Sequence, residues 1–356
     1  MDRFELFHLG WDEEWEAKLA DFPYVGEVGR ISRVERGESD VRIESGQVRA
    51  QSDSQRSQSF LAPVTGDWVT VVSQGGNWMI EAILERRTEL VRRDPGERET
   101  QQPLSANVDV VFLVHGFDRP FRAGKLERFL VLAWNAQATP VVVLTKSDLA
   151  TPEMQTDLVD IVSAVAPDVE VVVASVEDRL SQQGQDQDED PVGLARIEEL
   201  LSPNRTGTML GESGAGKSSL VNALMDVEVQ STQEVRRGDA KGRHTTITRD
   251  LLVLPSGGIL IDTPGIRAVG LWDAQDALER VFSDILEAAE GCRFRDCAHD
   301  GEPSCAVREA VDAGQIDFRR LERFRAMAEE LRESEQRLIE RERANQSNRG
   351  GRRKRR

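Results

Sequence analysis

The sequence predicts a multidomain protein in three parts: a small OB-type β-barrel, an α/β domain on a parallel sheet, and a helical C-terminal domain carrying a cysteine cluster. Three observations predict this. Short β-rich runs broken by glycine fill residues 22–90, valine-rich strands alternate with amphipathic helices over 104–271, and every cysteine falls between Cys292 and Cys305. At 356 residues the chain also exceeds the size at which one core suffices.

Residues 1–21 read as a helical lead-in, with Leu6, Leu9, Trp11, Trp15 and Leu19 loosely on one side. From 22 to 90 the runs VGEVGRISRV, SDVRIES, GQVRAQ, DWVTVVS and NWMIEAILER are separated by Gly37, Gly46, Gly66 and Gly75–Gly76. Five short strands at that spacing fit an OB-type barrel, a fold often used on oligonucleotides. The pattern alone fits a ligand-free structural module as well. Residues 88–107 are polar and turn-rich and read as a linker.

From Val108 the pattern becomes α/β. VDVVFLV, PVVVLT and VEVVVAS lack polar alternation, as expected of strands covered on both faces. Between the first two, Leu126, Phe129, Leu130 and Ala133 recur at helical spacing. The helix after PVVVLT is expected to be capped by Thr151, with Pro152 in its first turn. SQQGQDQDED (181–190) reads as a solvated acidic loop, GKSSLVNALM as a helix, and DLLVLPSGGILIDTPG as a hairpin. A helical domain over 272–344 closes with a charged helix from about Asp317 to Ala344. Its narrow seam of Leu321, Phe324, Ala328, Leu331 and Leu338 is expected to pack within the chain. Residues 345–356 are expected to be a disordered basic tail.

The net charge is −17, yet six cations crowd the last eight residues and four acids crowd 186–190. Net charge bears on solubility, whereas local patches decide nucleic-acid contact, so a polyanionic partner is not excluded. The longest apolar runs have strand length, below the roughly 18–20 residues that span a membrane. The N-terminus lacks a signal-peptide core. The sequence therefore predicts a cytoplasmic protein without membrane contact, and a monomer.

Gly211-Glu212-Ser213-Gly214-Ala215-Gly216-Lys217-Ser218, followed by Ser219, satisfies G-x-x-x-x-G-K-[ST] and lies between a strand and a helix. Glycines let the backbone wrap phosphate oxygens, and the N–H groups and helix N-terminus supply positive potential. Lys217 would reach the β- and γ-phosphates and Ser218 would ligate Mg²⁺. Asp262-Thr-Pro-Gly265 ends the strand GILI. Asp262 can hold Mg²⁺ through water, and the Gly265 N–H can sense the γ-phosphate. Between these motifs lies Gly242-Arg-His-Thr-Thr246. Thr246, with Thr245 as the alternative, is the candidate to close over Mg²⁺.

Thr145-Lys146-Ser147-Asp148 follows PVVVL and resembles the guanine-reading element N-K-x-D. The Asp148 carboxylate would accept from guanine N1–H and N2–H₂, a pair adenine does not offer. Thr145 stands where Asn is usual, a departure expected to weaken the tie to the phosphate loop. Ser175 after VEVVVA is the candidate second base-loop residue, and Val176 could give its backbone N–H to guanine O6. These base-reading elements precede the phosphate loop, whereas an ordinary GTPase has them after it. The rotated order predicts a circularly permuted P-loop GTPase domain whose sheet is intact and whose termini have moved.

Cys292-x4-Cys297-x-His299-x5-Cys305 offers three thiolates and one imidazole, the set of a closed structural zinc site. An odd cysteine count without a signal peptide argues against a disulfide framework. His8 and His115 have no evident partners in the sequence and read as surface or packing residues.

SANVDVVFLV, TKSD, GESGAGKSSLVNAL, GRHTT, DTPGI and CRFRDCAHDGEPSCAV together make the chain similar, over roughly Gly26 to Phe324, to the RsgA (YjeQ/YloQ) family of circularly permuted GTPases. The resemblance implies an OB-type barrel, a permuted GTPase domain and a zinc-binding helical domain. It further implies GTP hydrolysis to GDP and phosphate, stimulated by the small ribosomal subunit during late assembly, with the flanking domains on rRNA. Ile266 stands where many GTPases place a water-orienting glutamine, which implies slow intrinsic turnover and leaves His244 as the nearest catalytic candidate beside Lys217 and Thr246. Ile266 also keeps open the alternative of a GTP-gated rRNA-binding scaffold with negligible catalysis. A P-loop kinase is disfavoured by TKSD and the switch threonines.

Overall fold

The structure is a computed structural model that describes residues 3–23, 25–52, 62–93, 101–176, 193–226, 249–262, 270–271 and 273–353. The chain divides into two compact units. The first comprises Met1–Leu90, Pro103–Phe121 and Ala136–Arg267; the second comprises Val91–Gln102, Arg122–Asn135 and Ala268–Arg356.

In the first unit, helices α1 (Phe4–Phe7) and α2 (Glu13–Ala20) form the lead-in. Asp12 caps α2 by accepting from the Trp15 N–H at 3.0 Å, and it pairs with the Arg87 guanidinium. Leu6, Leu9, Trp11 and Trp15 of the apolar side are buried and Leu19 is half-buried; Trp11 and Trp15 gather on Trp68, with the Trp11 and Trp68 rings 4.7 Å apart.

Strands β1 (Glu27–Glu35), β2 (Glu38–Ile43), β3 (Gly46–Gln51), β4 (Trp68–Gln74) and β5 (Asn77–Ile83) close into a barrel in the order β1-β2-β3-β5-β4. Among the described residues of the barrel, only β3 and β5 pair in parallel. Ile31, Val41, Ile43, Ala50, Val69 and Val71 fill the interior, alternating with outward residues as the pleat requires. Gly75 and Gly76 form the β4–β5 turn with φ of +61° and +87°, left-handed values that match a tight hairpin's twist.

The segment expected to be a linker is partly built into the fold. Strands β6 (Glu89–Arg93) and β7 (Gln101–Ala106) pair with each other. Asn107, at the segment's end, accepts from the Arg87 N–H and donates to Gly66 O. Buried Arg30 ties the same place together by donating to the carbonyls of Leu9, Gly66 and Asn107. A run rich in charge and turn residues hid these strands, because their partners lie within the same polar stretch.

The α/β part is a six-stranded sheet of β8 (Val110–Gly116), β9 (Thr139–Thr145), β10 (Glu170–Ala174), β11 (Thr206–Gly211), β12 (Leu251–Val253) and β13 (Ile259–Ile261). Their order is β10-β9-β8-β11-β13-β12, parallel except for the edge strand β12. Helices of this α/β part are α4 (Pro152–Val165), α5 (Leu194–Leu201) and α6 (Lys217–Met225). Thr151 caps α4 as expected, accepting from the Met154 N–H. Phe112, Val114, Val143, Leu194, Ile197, Leu201, Leu220 and Leu224 belong to one buried cluster with Met209 and Leu260.

The barrel meets the edge hairpin directly. Arg33, at a bulge in β1, forms a two-pronged pair with Asp250 beside β12, and Thr65 Oγ1 donates to Arg249 O at 3.0 Å.

The second unit is helical: α3 (Ala123–Asn135), α7 (Gln275–Val281), α8 (Ser283–Ala289), α9 (Ala306–Asp312) and α10 (Phe318–Arg353). By contacts α3 groups with the C-terminal helices, although the sequence assigns it to the α/β domain. Wholly buried Glu127 explains the grouping, since it accepts from Arg320 at 3.0 Å and from Arg323 at 2.9 Å. Arg320 also donates to Asp284. Of the expected α10 seam, Leu321 and Leu331 are buried and Phe324, Ala328 and Leu338 half-buried, while Met327 and Ser334 are buried although the seam did not include them. The helix runs on to Arg353, past residue 344, where the sequence ends it and expects a tail without structure.

Candidate active site

Every parallel strand of the sheet delivers its carboxyl end to one edge, the usual ligand edge of an open α/β sheet. Gly211 ends β11 where it pairs with Val114, and Thr145 ends β9 opposite both Gly116 and Ala174. Thr208 pairs with Ile261, so Asp262 leaves β13 at this same edge. Loops 117–121, 145–148, 175–176 and 211–219 are thereby brought together, although the last is far from the others in sequence.

The phosphate loop has its shape for steric reasons. A Cβ at Gly211 would lie 2.5 Å from Val114 O, so only glycine fits beside β8. Gly214 and Gly216 take φ of +77° and +94°, and Gly216 turns the chain into α6. Lys217 Nζ folds back to donate to Gly211 O and Glu212 O, both at 2.8 Å. Burial holds its pKa down to about 8; Asp262 and Glu212 oppose that fall and Arg119 adds to it. Ser218 and Ser219 follow in the first turn of α6, half-buried.

The TKSD loop, 145–148, is tied to this loop. Buried Thr145 donates through Oγ1 to Ala215 O at 2.6 Å, with His115 O at 3.3 Å as the longer alternative. The departure from asparagine was expected to weaken the tie, but a hydroxyl on the last residue of β9 is near enough to make it. Lys146, at φ +62°, donates to Gly214 O at 3.0 Å and to Asp118 at 2.8 Å. Ser175, fully buried, donates to Asp148 Oδ1 at 3.0 Å, which orients that exposed carboxylate. Glu212, Ser213 and Gly214 lie on the open side of the loop, and Ala215 is buried beneath Thr145.

The site assembled from Thr145, Lys146, Asp148, Ser175, Gly211 to Ser219 and Asp262 has glycine-shaped backbone, a lysine and a helix N-terminus at one end. At the other it has an oriented carboxylate. Its donors suit a phosphate chain and its acceptor suits a purine edge bearing adjacent N–H groups. Asp262 donates its N–H to Asp250 O at 3.0 Å, so the strand-end aspartate is bonded to the residue that Arg33 holds. His244, Thr246 and Gly265, with Ile266, lie outside the described residues. Sequence reasoning missed Asp118 and Arg119, whose loop FDRPF reads as an ordinary turn; only the pairing of Gly116 with Thr145 brings it to the site.

The model of the RsgA GTPase family matches residues 83–272. A relative from Streptomyces avermitilis, called small ribosomal subunit biogenesis GTPase RsgA, is 43% identical over 335 residues, covering 91% of this chain and 85% of its own. The chain belongs to the RsgA GTPase family. A relative of the same name from Methanosarcina acetivorans is 37% identical, with 90% of this chain and 84% of that protein covered. Among solved structures, YjeQ from Thermotoga maritima matches with a TM-score of 0.60 at 27% identity, over 86% of this chain and 98% of that one. YloQ, described as a circularly permuted GTPase, shares the fold at 24% identity and a TM-score of 0.59, over 88% and 97% of the two chains. RsgA-family membership makes the permuted strand order the arrangement of a GTP-hydrolysing enzyme.

In the helical unit Cys292, Cys297, His299 and Cys305 are also brought together, with one ligand atom from each inside a sphere where none is more than 4.8 Å from another. Cys292 Sγ lies 3.8 Å from Cys305 Sγ, and His299 Nδ1 lies 3.7 and 3.4 Å from those two sulfurs. A tetrahedron with metal–sulfur bonds near 2.3 Å has S···S edges of about 3.8 Å and S···N edges of about 3.5 Å. The four residues therefore fit one metal ion. Burial lowers the pKa of His299, favouring the neutral ring that ligates. Glu302 braces the loop by accepting from the N–H groups of Ala298, Asp300 and Gly301.

Proposed function

We propose that this chain hydrolyses GTP to GDP and phosphate while bound to the small ribosomal subunit late in its assembly, and that the subunit stimulates hydrolysis. The observation that supports this most is the hydrogen-bonded closure of the TKSD loop on the phosphate loop through Thr145 and Ala215. It lets one ligand be read at both base and phosphates. The names of the relatives point to the small subunit as partner.

Asp148, steadied by Ser175, selects guanine, and Lys146 lies along the path between base and phosphates. Gly211 to Ser219 cradle the phosphates, with Lys217 leaving its carbonyl partners for the β- and γ-phosphate oxygens. Ser218, Thr246 and Asp262 would hold Mg²⁺, which when bound neutralises charge between the phosphates. Gly265 senses the γ-phosphate. Ile266 cannot orient water, so His244 takes that part on the subunit. Zn²⁺ is the ion proposed for Cys292, Cys297, His299 and Cys305, with a structural role since no ligand position is left open. The barrel and the helical domain contact rRNA, and the protein works as a cytoplasmic monomer. No helix among the described residues is long and apolar enough to cross a membrane.

The test is GTP hydrolysis alone, with purified small subunits, and with large subunits. Acceleration by small subunits only is expected. Equal rates in all three would refute stimulation, and absence of even a single turnover with small subunits would favour the scaffold reading that Ile266 leaves open.

A further inference from the structure

The carbonyl groups of four successive phosphate-loop residues each accept from a cation. Lys217 takes Gly211 O and Glu212 O. Arg119 takes the next two, donating from Nη1 to Ser213 O at 2.9 Å and from Nη2 to Gly214 O at 2.6 Å. Lys146 adds a second donor to Gly214 O. Lys217 is the cation that a nucleotide would draw away, which leaves Arg119 on Ser213 O and Gly214 O, with Lys146 beside it on Gly214 O, holding the loop from outside.

Arg119 is itself held. Asp118 accepts from its Nε at 3.0 Å and its Nη2 at 3.1 Å, and from Lys146 Nζ at 2.8 Å. The hydrogen bond from Arg119, aided by Lys146, keeps the Asp118 carboxyl well below the usual range, so the bridge stays charged. The geometry is close-fitting: a Cβ at Gly214 would lie 3.1 Å from Arg119 Nη2, and one at Gly116 would lie 2.5 Å from Asp118 Oδ1.

A peptide plane carries its C=O and the next residue's N–H on opposite sides. A guanidinium on Ser213 O and Gly214 O keeps those oxygens turned out from the phosphates and fixes the planes that carry the Gly214 and Ala215 N–H groups. A planar two-pronged donor does this for two adjacent carbonyls at once; a lysine is a point charge. We propose that Arg119, braced by Asp118, is a positioning residue of the nucleotide site that holds the phosphate loop in its phosphate-accepting shape and joins it to the base-reading Lys146. The inference rests on the GTPase reading and adds two residues to it.

The test compares full-length wild type, Arg119→Ala, Arg119→Lys and Asp118→Asn, reading affinity for fluorescent GTP and GDP, KM and kcat with small subunits, and thermal melting without nucleotide. Arg119→Ala is expected to weaken GTP and GDP alike by about tenfold, the scale of losing hydrogen bonds from a charged donor, with kcat within about threefold of wild type. Arg119→Lys should stay close to Arg119→Ala, and Asp118→Asn should shift affinity in the same direction by less. Unchanged affinity in Arg119→Ala, a fall in kcat at constant KM, full rescue by lysine, or a lowered melting temperature as the sole effect would each overturn the proposal. A wild type that binds neither nucleotide would instead sink the GTPase reading, and one that binds both but hydrolyses none leaves the affinity comparison decisive. If Arg119→Ala fails to fold, the Asp118→Asn affinities decide the matter.

Discussion

Thr145→Val replaces one hydroxyl by a methyl at the joint between the two halves of the nucleotide site. Thr145 is only 3% exposed and its bond to Ala215 O is 2.6 Å long. The valine is nearly the same size, so packing is kept while Ala215 O, on a residue 1% exposed, loses this donor. Leaving a buried acceptor without its partner costs about 1–3 kcal/mol. At about 1.4 kcal/mol per factor of ten, that is roughly 5- to 150-fold in an equilibrium constant. The bond is already made in the nucleotide-free chain, so part of the loss falls on folding and only the remainder on binding. The expected result is GTP and GDP affinity weakened together by about tenfold, with a melting temperature lower by a few degrees. Thr145→Asn, which restores a donor, should recover most of the affinity. Calorimetric titration and a thermal melt on the same preparations measure both shares. Valine within twofold of wild type in both would refute the claim that this hydroxyl couples base loop to phosphate loop.

Three further outcomes follow from the geometry. Glu127→Gln leaves Arg320 and Arg323, both partly exposed, facing a neutral amide where a wholly buried carboxylate stood, so denaturant unfolding should show a loss of about 1–3 kcal/mol, the scale of losing hydrogen bonds to a charged group. Arg33→Ala removes a pair with Asp250 that is partly exposed, so stability should change by under about 1 kcal/mol. Asp250 also carries the Asp262 N–H, so subunit-stimulated hydrolysis should fall by more than melting does; an unchanged rate would contradict that link. Elemental analysis should find the one zinc equivalent proposed for the wild type and close to none in Cys305→Ser; equal contents in the two would exclude Cys305 as a ligand.

Local patterns read well where one element determines its own character. The barrel strands announced themselves through alternation and glycine turns, and the α/β strands through unbroken valine. Thr151 was legible as a cap and the four metal-site residues as a set, because spacing and chemistry alone specify them. What stayed hidden depends on distant partners. Thr145 reads as a weakened joint in sequence, whereas the end of β9 beside Ala215 makes it a bonded one. Asp118 and Arg119 had no signature, since their meaning comes from strand register. Glu127 sat among helix formers as one more charge, yet it is buried by arginines nearly two hundred residues later in the chain. The 88–107 segment was polar enough to pass as a linker although its ends pair as strands.

Residues 145–148 and 175, placed ahead of the phosphate loop in sequence, are proposed to complete a single guanine-nucleotide site with it. Asp148→Asn exchanges the acceptor proposed to read guanine N–H groups for an amide that can donate to a 2-oxo group. Measuring kcat/KM for GTP and for xanthosine triphosphate on wild type and variant tests the claim most directly. Reversal of preference towards the xanthosine nucleotide is predicted. Equal loss on both nucleotides, or retained preference for GTP, would contradict it.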